Sequence, residues 1–379
     1  MSHTPPLPLA GFTVVELTDN ASAPFAGELL AQLGAEVWKV ERPGGDASRR
    51  WGFERWRGAC SSYHVLNRGK RALCLDVKDA DDLAQLHRLI DEKADVFIHN
   101  LRPGTSGKYQ LDAETLRGRK PSLVYCEVGA FGHVGPLREE PGYDPMMQAF
   151  SGIMSLTGDA DRPPSRAGVS IIDLGTGTWA AFGVVAALLR RNIQGMGATV
   201  SCSLFETALV WMALSLGTAA AGGGQGERLG SGIGFVAPSR AYMTADGYLM
   251  LSCANDALFV KLCEAIGHPQ WSSDERFATN TARLHHRAQL DALLEACLRE
   301  HPLDHWQRQL RAHGVPSAPV QEVEEVLRHE QVRALGILGR PSDEEFEVVG
   351  FPLSFDGQRP PPLGPAGDLG QDNGLLRGR

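Results

Sequence analysis

Residues 12–40 read FTVVELTDNASAPFAGELLAQLGAEVWKV and contain one complete strand-helix-strand pattern. Residues 12–17 are rich in apolar and β-branched side chains, which predicts a strand. Pro24 suits the first turn of the helix that follows, whose apolar face is made of leucines, and Gly34 suits the cap beyond its end. Residues 36–40 then return to a strand pattern.

The same pattern repeats farther along the chain. An amphipathic helix is predicted from Leu83 to Ile90, followed by strands at 95–98 and 123–128. Strands that alternate with helices are typical of a parallel sheet, so we predict an α/β fold with a Rossmann-like, doubly wound large domain. Ligands of such sheets bind at the carboxyl ends of the strands.

The composition changes after residue 220. Seven glycines fall between Gly222 and Gly234, and this stretch predicts a linker or mobile loop too flexible to pack as an element. Residues 241–251 read as a hairpin with an Asp-Gly turn, and amphipathic helices follow, which predicts a second, smaller α+β domain. Near the end of the chain, a strand is predicted at 347–349 and a frayed tail at 370–379.

Charge and composition exclude several classes of protein. With 37 basic and 45 acidic residues, the net charge of −8 argues against a general nucleic-acid binder. The most hydrophobic stretches are interrupted before the ~20 apolar residues of a membrane span, and no basic, apolar leader begins the chain. Seven scattered cysteines without a CxxC spacing fit reduced thiols better than a zinc site or a disulfide scaffold. We therefore expect a soluble, cytoplasmic protein without a bound metal.

Basic residues concentrate between Lys39 and Lys78. They are Lys39, Arg42, Arg49, Arg50, Arg55, Arg57, Arg68, Lys70, Arg71 and Lys78. Only Glu41, Asp46, Glu54 and Asp76 oppose them, so ten positive charges less four negative ones leave a local +6. Such a segment suits a polyanionic small molecule such as a nucleotide, and a solvated basic face without a ligand is the alternative.

Asp173 is the carboxylate most suited to chemistry. It follows the apolar run 168–172, which reads as a strand, and precedes a helix expected to begin near Trp179. An aspartate at this junction is either a helix N-cap or a reactive group, and Thr176 and Thr178 offer themselves as caps instead. Nearby helix amides would keep its pKa low and the carboxylate ionised, as a nucleophile requires.

Other catalytic motifs are missing from the sequence. Gly175 and Gly177, like the glycines of 129–135, could let a ligand approach the backbone or could be ordinary turn glycines, and neither stretch is a GxGxxG motif after the first strand. The histidines lack metal-ligand spacing and are interpreted as surface or core residues. Ser201 has no GxSxG context, which argues against a serine hydrolase.

Short motifs in a fixed order run through most of the chain. They are LAG at 9–11, VVEL at 14–17, LGAEVWKVERPGGD at 33–46, NRGKR at 67–71, LDVK at 75–78, NLRPG at 100–104, PGYD at 141–144, DLGTG at 173–177 and TADG at 244–247. In this order and spacing the chain resembles the family III CoA-transferases, which include formyl-CoA and carnitine CoA-transferases and the related α-methylacyl-CoA racemases.

The resemblance implies an organisation for the whole chain. A large domain made from both ends of the chain is joined by two linkers to a small domain, and two chains interlock as rings in a homodimer. The expected segments are the first part of the large, CoA-binding domain at 1–220, a glycine-rich linker at 221–236, the small domain at 237–315, and a linker with the return to the large domain at 316–379.

The resemblance also implies the site residues. Asp173 matches the catalytic aspartate, and Arg42 matches a residue that contacts a CoA phosphate. Further CoA contacts are implied for Ala21, Ser22, Leu75, Asp76, Val77, Lys78, Asn100, Leu101, Arg102, Lys108, Pro141, Gly142, Tyr143 and Asp144. Lys108 stands where an arginine is usual. Residues 232–239 depart from the pattern of the relatives, which leaves the acyl pocket open.

The activity implied is transfer of CoA from an acyl-CoA to a carboxylic acid through an aspartyl anhydride and an aspartyl-CoA thioester, with acyl-CoA as substrate and no permanently bound cofactor. Small dicarboxylic or hydroxy acids suit the family as partners. A non-catalytic acyl-CoA binder and a racemase are the alternatives. The racemases place a histidine where this chain has Tyr143, and a phenol with a pKa of about 10 is a poor base at neutral pH, so transfer is favoured. Tyr143 could instead simply pack against the pantetheine.

Overall fold

A computed structural model describes residues 7–224, 226–340 and 347–377. The strands in chain order are β1 Thr13–Leu17, β2 Glu36–Glu41, β3 Arg55–Trp56, β4 Ala59–Cys60, β5 Arg71–Cys74, β6 Val96–His99, β7 Val124–Gly129, β8 Gly158–Asp159, β9 Thr199–Ser203, β10 Leu229–Gly230, β11 Ser239–Met243, β12 Tyr248–Ser252, β13 Ser317–Pro319, β14 Leu338–Gly339 and β15 Val348–Val349.

The α-helices are α1 Ser22–Gln32, α2 Ser61–Asn67, α3 Ala80–Lys93, α4 Thr105–Lys108, α5 Ala113–Arg119, α6 Asp144–Phe150, α7 Ile153–Leu156, α8 Ile171–Gln194, α9 Leu204–Trp211, α10 Ala213–Ala220, α11 Asp256–Ala265, α12 Asn280–His285, α13 Arg287–Leu298, α14 Leu303–Ala312, α15 Val323–Arg328 and α16 Glu330–Leu335. Short 3₁₀ helices lie at Ala47–Arg50, Pro269–Ser273 and Asn373–Arg377.

Six parallel strands form the main sheet, in the order β5-β2-β1-β6-β7-β9. Side chains alternate between its faces: Val14 packs with α1 and α8, whereas Val15 packs with α3 and α5 on the other side. Helices therefore cover both faces, which confirms the predicted α/β fold. The first strand-helix-strand pattern is built as expected, and Gly34, whose φ is 99°, follows the end of α1.

The chain divides into two compact units. The first contains Met1–Ser151, Ala167–Ala213 and Gln331–Arg379, and the second contains Gly152–Arg166 and Leu214–Glu330. The second unit thus includes the short segment 152–166, which lies in sequence between two parts of the first unit. Its main part, 214–330, extends beyond the predicted limits of 237 and 315. The last stretch of the chain returns to the first unit.

The second unit has its own sheet and core. The predicted hairpin is confirmed, because β11 pairs antiparallel with β12, and β13 adds a third antiparallel strand. Buried side chains of this sheet, including Tyr242 and Leu251, pack with Phe259 and Leu262 of α11. The glycine-rich stretch was predicted to form no element; instead, β10 within it pairs with β8.

Two predictions about single segments are wrong. Residues 168–172 do not form a strand, because α8 begins at Ile171 and continues for 24 residues. The tail was predicted to be frayed from residue 370 onward. Residues 370–377 are instead ordered, because they form hydrogen bonds with β5 at the edge of the sheet. There the Ala72 N–H donates to Asp372 Oδ2 at 2.7 Å, and the Cys74 N–H donates to Asn373 Oδ1 at 2.8 Å.

Helix α8 is long and apolar enough to cross a membrane by length and composition, with a mean hydropathy of 1.6 in its most apolar window. The sequence expectation that no stretch reaches that length therefore does not hold. Core helices of soluble proteins meet the same criterion. Here Ala180, Val184 and Leu188 of α8 are buried in the core cluster that also contains residues of α1 and the sheet.

Candidate functional site

A cavity of about 1190 Å³ opens at the carboxyl ends of the parallel strands. Its wall is made by the segments that follow the strands, at 17–22, 40–47, 75–78, 99–106 and 127–143. The chain adds strands to one side of β1 and then, from β6, to the other side, so the strand order reverses between β1 and β6. The cavity therefore lies where open α/β sheets bind their ligands.

Reciprocal hydrogen bonds fix the two loops that flank this reversal. The Asp19 N–H donates to Asn100 Oδ1 at 3.0 Å, and Asn100 Nδ2 donates to the Asp19 carbonyl at 2.7 Å. Because these bonds link the loop after β1 to the loop after β6, they hold the floor of the crevice at a set width.

Asp173 lies on the cavity wall in the first turn of α8. Its side chain is partly buried, and within the described part of the chain its carboxylate accepts no hydrogen bond and forms no ion pair. Burial, together with the negative charge of Asp144, raises the pKa of Asp173 to about 6. The sequence prediction of a low pKa is therefore wrong, although the group is still ionised at neutral pH.

The expected amide partners of Asp173 are taken by Asp144. The Asp144 carboxylate, which is 2% exposed, accepts the Ile172 N–H at 2.7 Å and the Asp173 N–H at 3.2 Å on Oδ2. Its Oδ1 accepts from Gln148 Nε2 at 2.6 Å. Helix α8 is thus capped by a side chain of α6, and Ser170 at its N-cap makes no side-chain bond.

The predicted caps act differently. Thr176 and Thr178 lie inside α8, where their hydroxyls donate to the carbonyls of Ile172 and Leu174, four residues earlier. These hydroxyls bond to carbonyls inside the helix, so they accept no hydrogen bond from the N–H groups of its first turn. The interpretation that a threonine caps α8 is wrong.

Other segments of the cavity wall offer positive charge. The Arg42 side chain is 61% exposed, with Nη2 at 3.2 Å from Asp19 Oδ2 and Nε donating to the Gly45 carbonyl at 3.2 Å. Lys78 and Arg102 also line the cavity and are exposed. Three cations that keep their access to solvent can contact the phosphates of a ligand.

Several other basic residues of the segment are buried and paired with carboxylates of the protein. Lys70 Nζ donates to Glu16 Oε1 at 2.8 Å, and Arg68 contacts Glu28 at 2.6 Å, all four groups being buried. Lys39 Nζ lies 2.8 Å from Asp46 Oδ2. Burial alone would raise the pKa of Asp46, but this lysine holds it below its usual range. Glu16 and Glu28, which lie outside the segment, therefore offset part of its excess positive charge.

Similarity to known proteins decides the family. The sequence profile described as CoA-transferase family III matches residues 9–373. The chain belongs to that family. The resemblance seen in the sequence is thereby confirmed, and this transferase has a Rossmann-like sheet with its cavity at the expected edge.

Individual relatives agree over nearly the full length. The succinyl-CoA:D-citramalate CoA-transferase of Chloroflexus aurantiacus is 38% identical over 86% of this chain and 81% of its own length. The succinate:glutarate CoA-transferase of Agrobacterium fabrum is 35% identical, with 90% and 87% covered. A crystal structure of a CAIB/BAIF family protein from Brucella suis has a TM-score of 0.89 at 35% identity, covering 98% of this chain and 99% of that one.

The structure brings most of the predicted site residues of the transferase to one cavity. The residues that line it are Ala21, Ser22, Arg42, Leu75, Asp76, Val77, Lys78, Asn100, Leu101, Arg102, Pro141, Gly142, Tyr143 and Asp173. Lys108 is exposed on α4 and does not line the cavity, and Asp144 is buried behind its wall. These two residues are therefore not placed as the predicted CoA contacts would require.

Several lining residues of the transferase were not singled out from the sequence. Asp19 follows β1 within the polar triplet 18–20, and its position just beyond a strand end was the available signal. Trp51 and Arg138 lie on longer loops, where no periodic pattern marks them. His99, interpreted as a surface or core residue, is buried at the end of β6, where burial lowers its pKa to about 4, and it also lines the cavity.

The glycines of the Asp173 motif serve packing. A Cβ at Gly177 would lie 2.5 Å from the Ser22 carbonyl oxygen of α1, and one at Gly175 would lie 2.7 Å from the Trp211 ring. These glycines lie inside α8, bring helices together in the transferase, and do not line the cavity. Gly129 and Gly132, by contrast, do line the cavity.

Proposed function

We propose that the protein transfers CoA from an acyl-CoA to a carboxylic acid through covalent intermediates on Asp173. The observation that carries this proposal is a partly buried carboxylate that has no hydrogen-bond or ion-pair partner among the described residues, on the wall of a large cavity, in a chain of this family. A nucleophile needs a free lone pair and partial desolvation, and Asp173 has both.

The proposed exchange is balanced and needs no redox partner. An Asp173 oxygen attacks the thioester carbonyl, a C–O bond forms, and the C–S bond breaks to give a mixed anhydride and CoA thiolate. The thiolate attacks the aspartyl carbonyl, which forms an aspartyl-CoA thioester and releases the donor acid as its carboxylate. The acceptor carboxylate then repeats these steps in reverse, and Asp173 is regenerated.

The cavity has groups suited to both the phosphates and the thioester of the proposed ligand. Arg42, Lys78 and Arg102 supply exposed cations for the phosphates of CoA, and Asp173 lies on the wall of the same cavity. Arg42 is held beside Asp19, so a phosphate would compete with that carboxylate for the guanidinium. The cavity volume of about 1190 Å³ exceeds that of most drug-sized pockets, as an extended nucleotide thioester requires.

For the acids, we propose small dicarboxylates, with succinyl-CoA as the first donor to examine. The named relatives act on succinate, glutarate and citramalate, all of which carry two carboxylates. A second carboxylate needs a cation, and Arg138 is a lining residue that could supply one besides the three assigned to phosphates.

The covalent step can be tested by trapping. Incubation with succinyl-CoA followed by hydroxylamine is expected to convert Asp173 to its hydroxamate, because an aspartyl thioester is cleaved by that nucleophile. Peptide mass spectrometry locates the modification. Unmodified Asp173 together with tightly bound, intact succinyl-CoA would instead identify a non-catalytic binder.

We also propose that the protein is a homodimer. Along α8 the side chains of Trp179, Phe182, Ala186, Leu189 and Ile193 are exposed and recur at three- and four-residue spacing, so they form one apolar stripe. Exposed apolar surface of this extent marks an interaction site. A second copy of the chain covering this stripe agrees with the interlocked pair that the family resemblance implies.

A charge on this stripe tests the dimer. Phe182→Glu is expected to shift the protein to a monomer, because an unpaired carboxylate would be buried in the interface. Sedimentation velocity measures the change, and Val260→Glu, at an exposed valine of α11, is the matched control. A dimer that persists in Phe182→Glu at micromolar concentration would exclude this face as the interface.

The proposed compartment is the cytoplasm. All seven cysteines are free thiols in the structure, and several of them are buried. Free thiols persist in reducing compartments, whereas exported proteins of similar cysteine content usually form disulfides.

A further inference from the structure

Asp144 is buried and does not line the cavity, yet its carboxylate accepts the backbone N–H of Asp173 and its negative charge acts on the reactive group. Its oxygens accept from two backbone N–H groups of the first turn of α8 and from Gln148. Gln148 in turn accepts the Ala167 N–H at 2.8 Å. The network therefore ties α6 to the segment that carries Asp173.

This arrangement reverses the usual electrostatics of a helix start. Free N–H groups in the first turn of a helix stabilise a carboxylate placed there. Here the N–H groups of Ile172 and Asp173 are bonded to Asp144, so they are no longer available to the Asp173 carboxylate. A second negative charge is added at the same place.

We propose that Asp144 is a positioning residue for Asp173, which fixes the first turn of α8 and withholds its amides so that the Asp173 carboxylate stays reactive. This inference rests on the proposed function, in which Asp173 attacks the thioester. Asp144 forms no bond to substrate and exchanges no proton in the reaction.

Other charged groups on the surrounding elements are engaged elsewhere. Helix α9 carries Glu206, which accepts from Ser203 Oγ at 2.7 Å, and α1 carries Glu28, which is paired with Arg68. Helix α6 has no charged side chain besides Asp144, and the first turn of α8 has none besides Asp173. Among the described residues, Asp144 is accordingly the charged group that acts on Asp173.

The consequence is a nucleophile stronger than an ordinary aspartate. A carboxylate that is poorly stabilised binds protons, and attacks carbonyl carbon, more readily than one held by amides. The same property makes it lose activity as the pH falls, since protonation removes the attacking lone pair. For the wild type, whose Asp173 has a pKa of about 6 in the ligand-free protein, we expect the acid limb of the kcat/KM profile near that pH.

Asp144→Asn tests the role directly, because asparagine retains an acceptor for the α8 amides but removes the charge. The acid limb of kcat/KM for acyl-CoA is expected to move to lower pH by about half a unit or more, with a plateau kcat reduced severalfold and an unchanged KM. A merely structural role would not move the acid limb. Asp112→Asn, at the N-cap of α5 away from the cavity, is the matched control and should leave the profile unchanged.

A second variant keeps the test possible if Asp144→Asn does not fold. In Asp144→Asn two amide NH₂ groups face each other, because Gln148 donates to the replaced oxygen. The double variant Asp144→Asn/Gln148→Glu restores an acceptor there and moves the negative charge from residue 144 to residue 148, the next group in the hydrogen-bond network. Its acid limb is expected between those of the wild type and the single variant.

A readout that does not depend on turnover separates this inference from the proposed function. Titration of ¹³C-labelled aspartate carboxyls by NMR, with Asp173→Asn to assign the signal, reports the pKa of Asp173 directly. A lower pKa in either Asp144 variant supports the positioning role even if the wild type transfers no CoA. An unchanged pKa in every variant that folds would overturn it, whatever the activity.

Discussion

Replacing Asp173 with asparagine is expected to lower the rate of CoA transfer at least about a thousandfold. Asparagine has nearly the same shape but lacks the anionic lone pair that forms the acyl bond. Binding of CoA should change little, because the phosphate-facing cations lie on other segments of the cavity wall. Steady-state assays with succinyl-CoA and a dicarboxylate, together with calorimetric titration of CoA, measure the two effects separately.

The same substitution is expected to stabilise the fold. The pKa of Asp173 is about 6, above its ordinary value of 3.8, so the ionised form is disfavoured in the folded protein. The free energy of unfolding therefore falls as the pH rises from about 4 to about 6, and the loss persists above it. Two pH units correspond to about 3 kcal/mol, which partial exposure reduces to about 1–2 kcal/mol.

A matched control is available on another helix. Asp304 lies in the first turn of α14, is exposed and does not line the cavity. Asp304→Asn should retain activity and should not gain stability at about pH 8. Turnover near the wild-type rate in a folded Asp173→Asn variant would refute the covalent mechanism, and so would full activity in Asp173→Ala.

The sheet could be predicted from the sequence because local and global signals agree there. Residues such as Val14 and Val15 of β1 and Val37 of β2 are β-branched and buried in central strands, so no tertiary interaction overrides their preference. The motifs that match the family then placed most of the cavity wall, since loops after parallel strands converge at one edge of the sheet.

The start of α8 could not be predicted because its cap comes from a distant residue. Val169, Ile171 and Ile172 form a β-branched run that favours a strand by propensity. The helix begins there nevertheless, because Asp144, 28 residues before Ile172, supplies the acceptor for its first amides. The sequence pattern of residues 168–179 does not reveal that Asp144 caps the helix. The pKa of Asp173 was predicted wrongly for the same reason, because Asp144 takes the amides that were expected to lower it.

Charge counting along the chain failed for a related reason. The acidic partners of Lys70 and Arg68 are Glu16 and Glu28, which precede the basic segment and were not set against it. A charge sum over residues 39–78 leaves out carboxylates that are distant in sequence but in contact with the segment in the fold. The sheet instead brings the segment onto carboxylates from an earlier part of the chain, so the local sum overstates the positive charge that is free to meet a ligand.

The second large effect is expected at Gly177, whose role also depends on a contact that is distant in sequence. Helix α8 packs on α1 so closely that an added Cβ would lie 2.5 Å from the Ser22 carbonyl oxygen and 3.0 Å from the Phe25 ring. The first of these atoms belongs to the backbone, so the helices themselves must separate.

Gly177→Ala is therefore expected to lower the free energy of unfolding by about 2–3 kcal/mol, although alanine favours a helix, because overpacking outweighs the gain in propensity. Gly118→Ala is the matched control: this glycine lies inside α5 with no atom within 4 Å of the added carbon, and alanine there should stabilise the protein by about 0.5–1 kcal/mol. Urea denaturation measures both.

Because Ser22 lines the cavity, the affinity for CoA should fall in Gly177→Ala and not in Gly118→Ala. Equal stability of the two variants would mean that α1 and α8 are not held as closely as described.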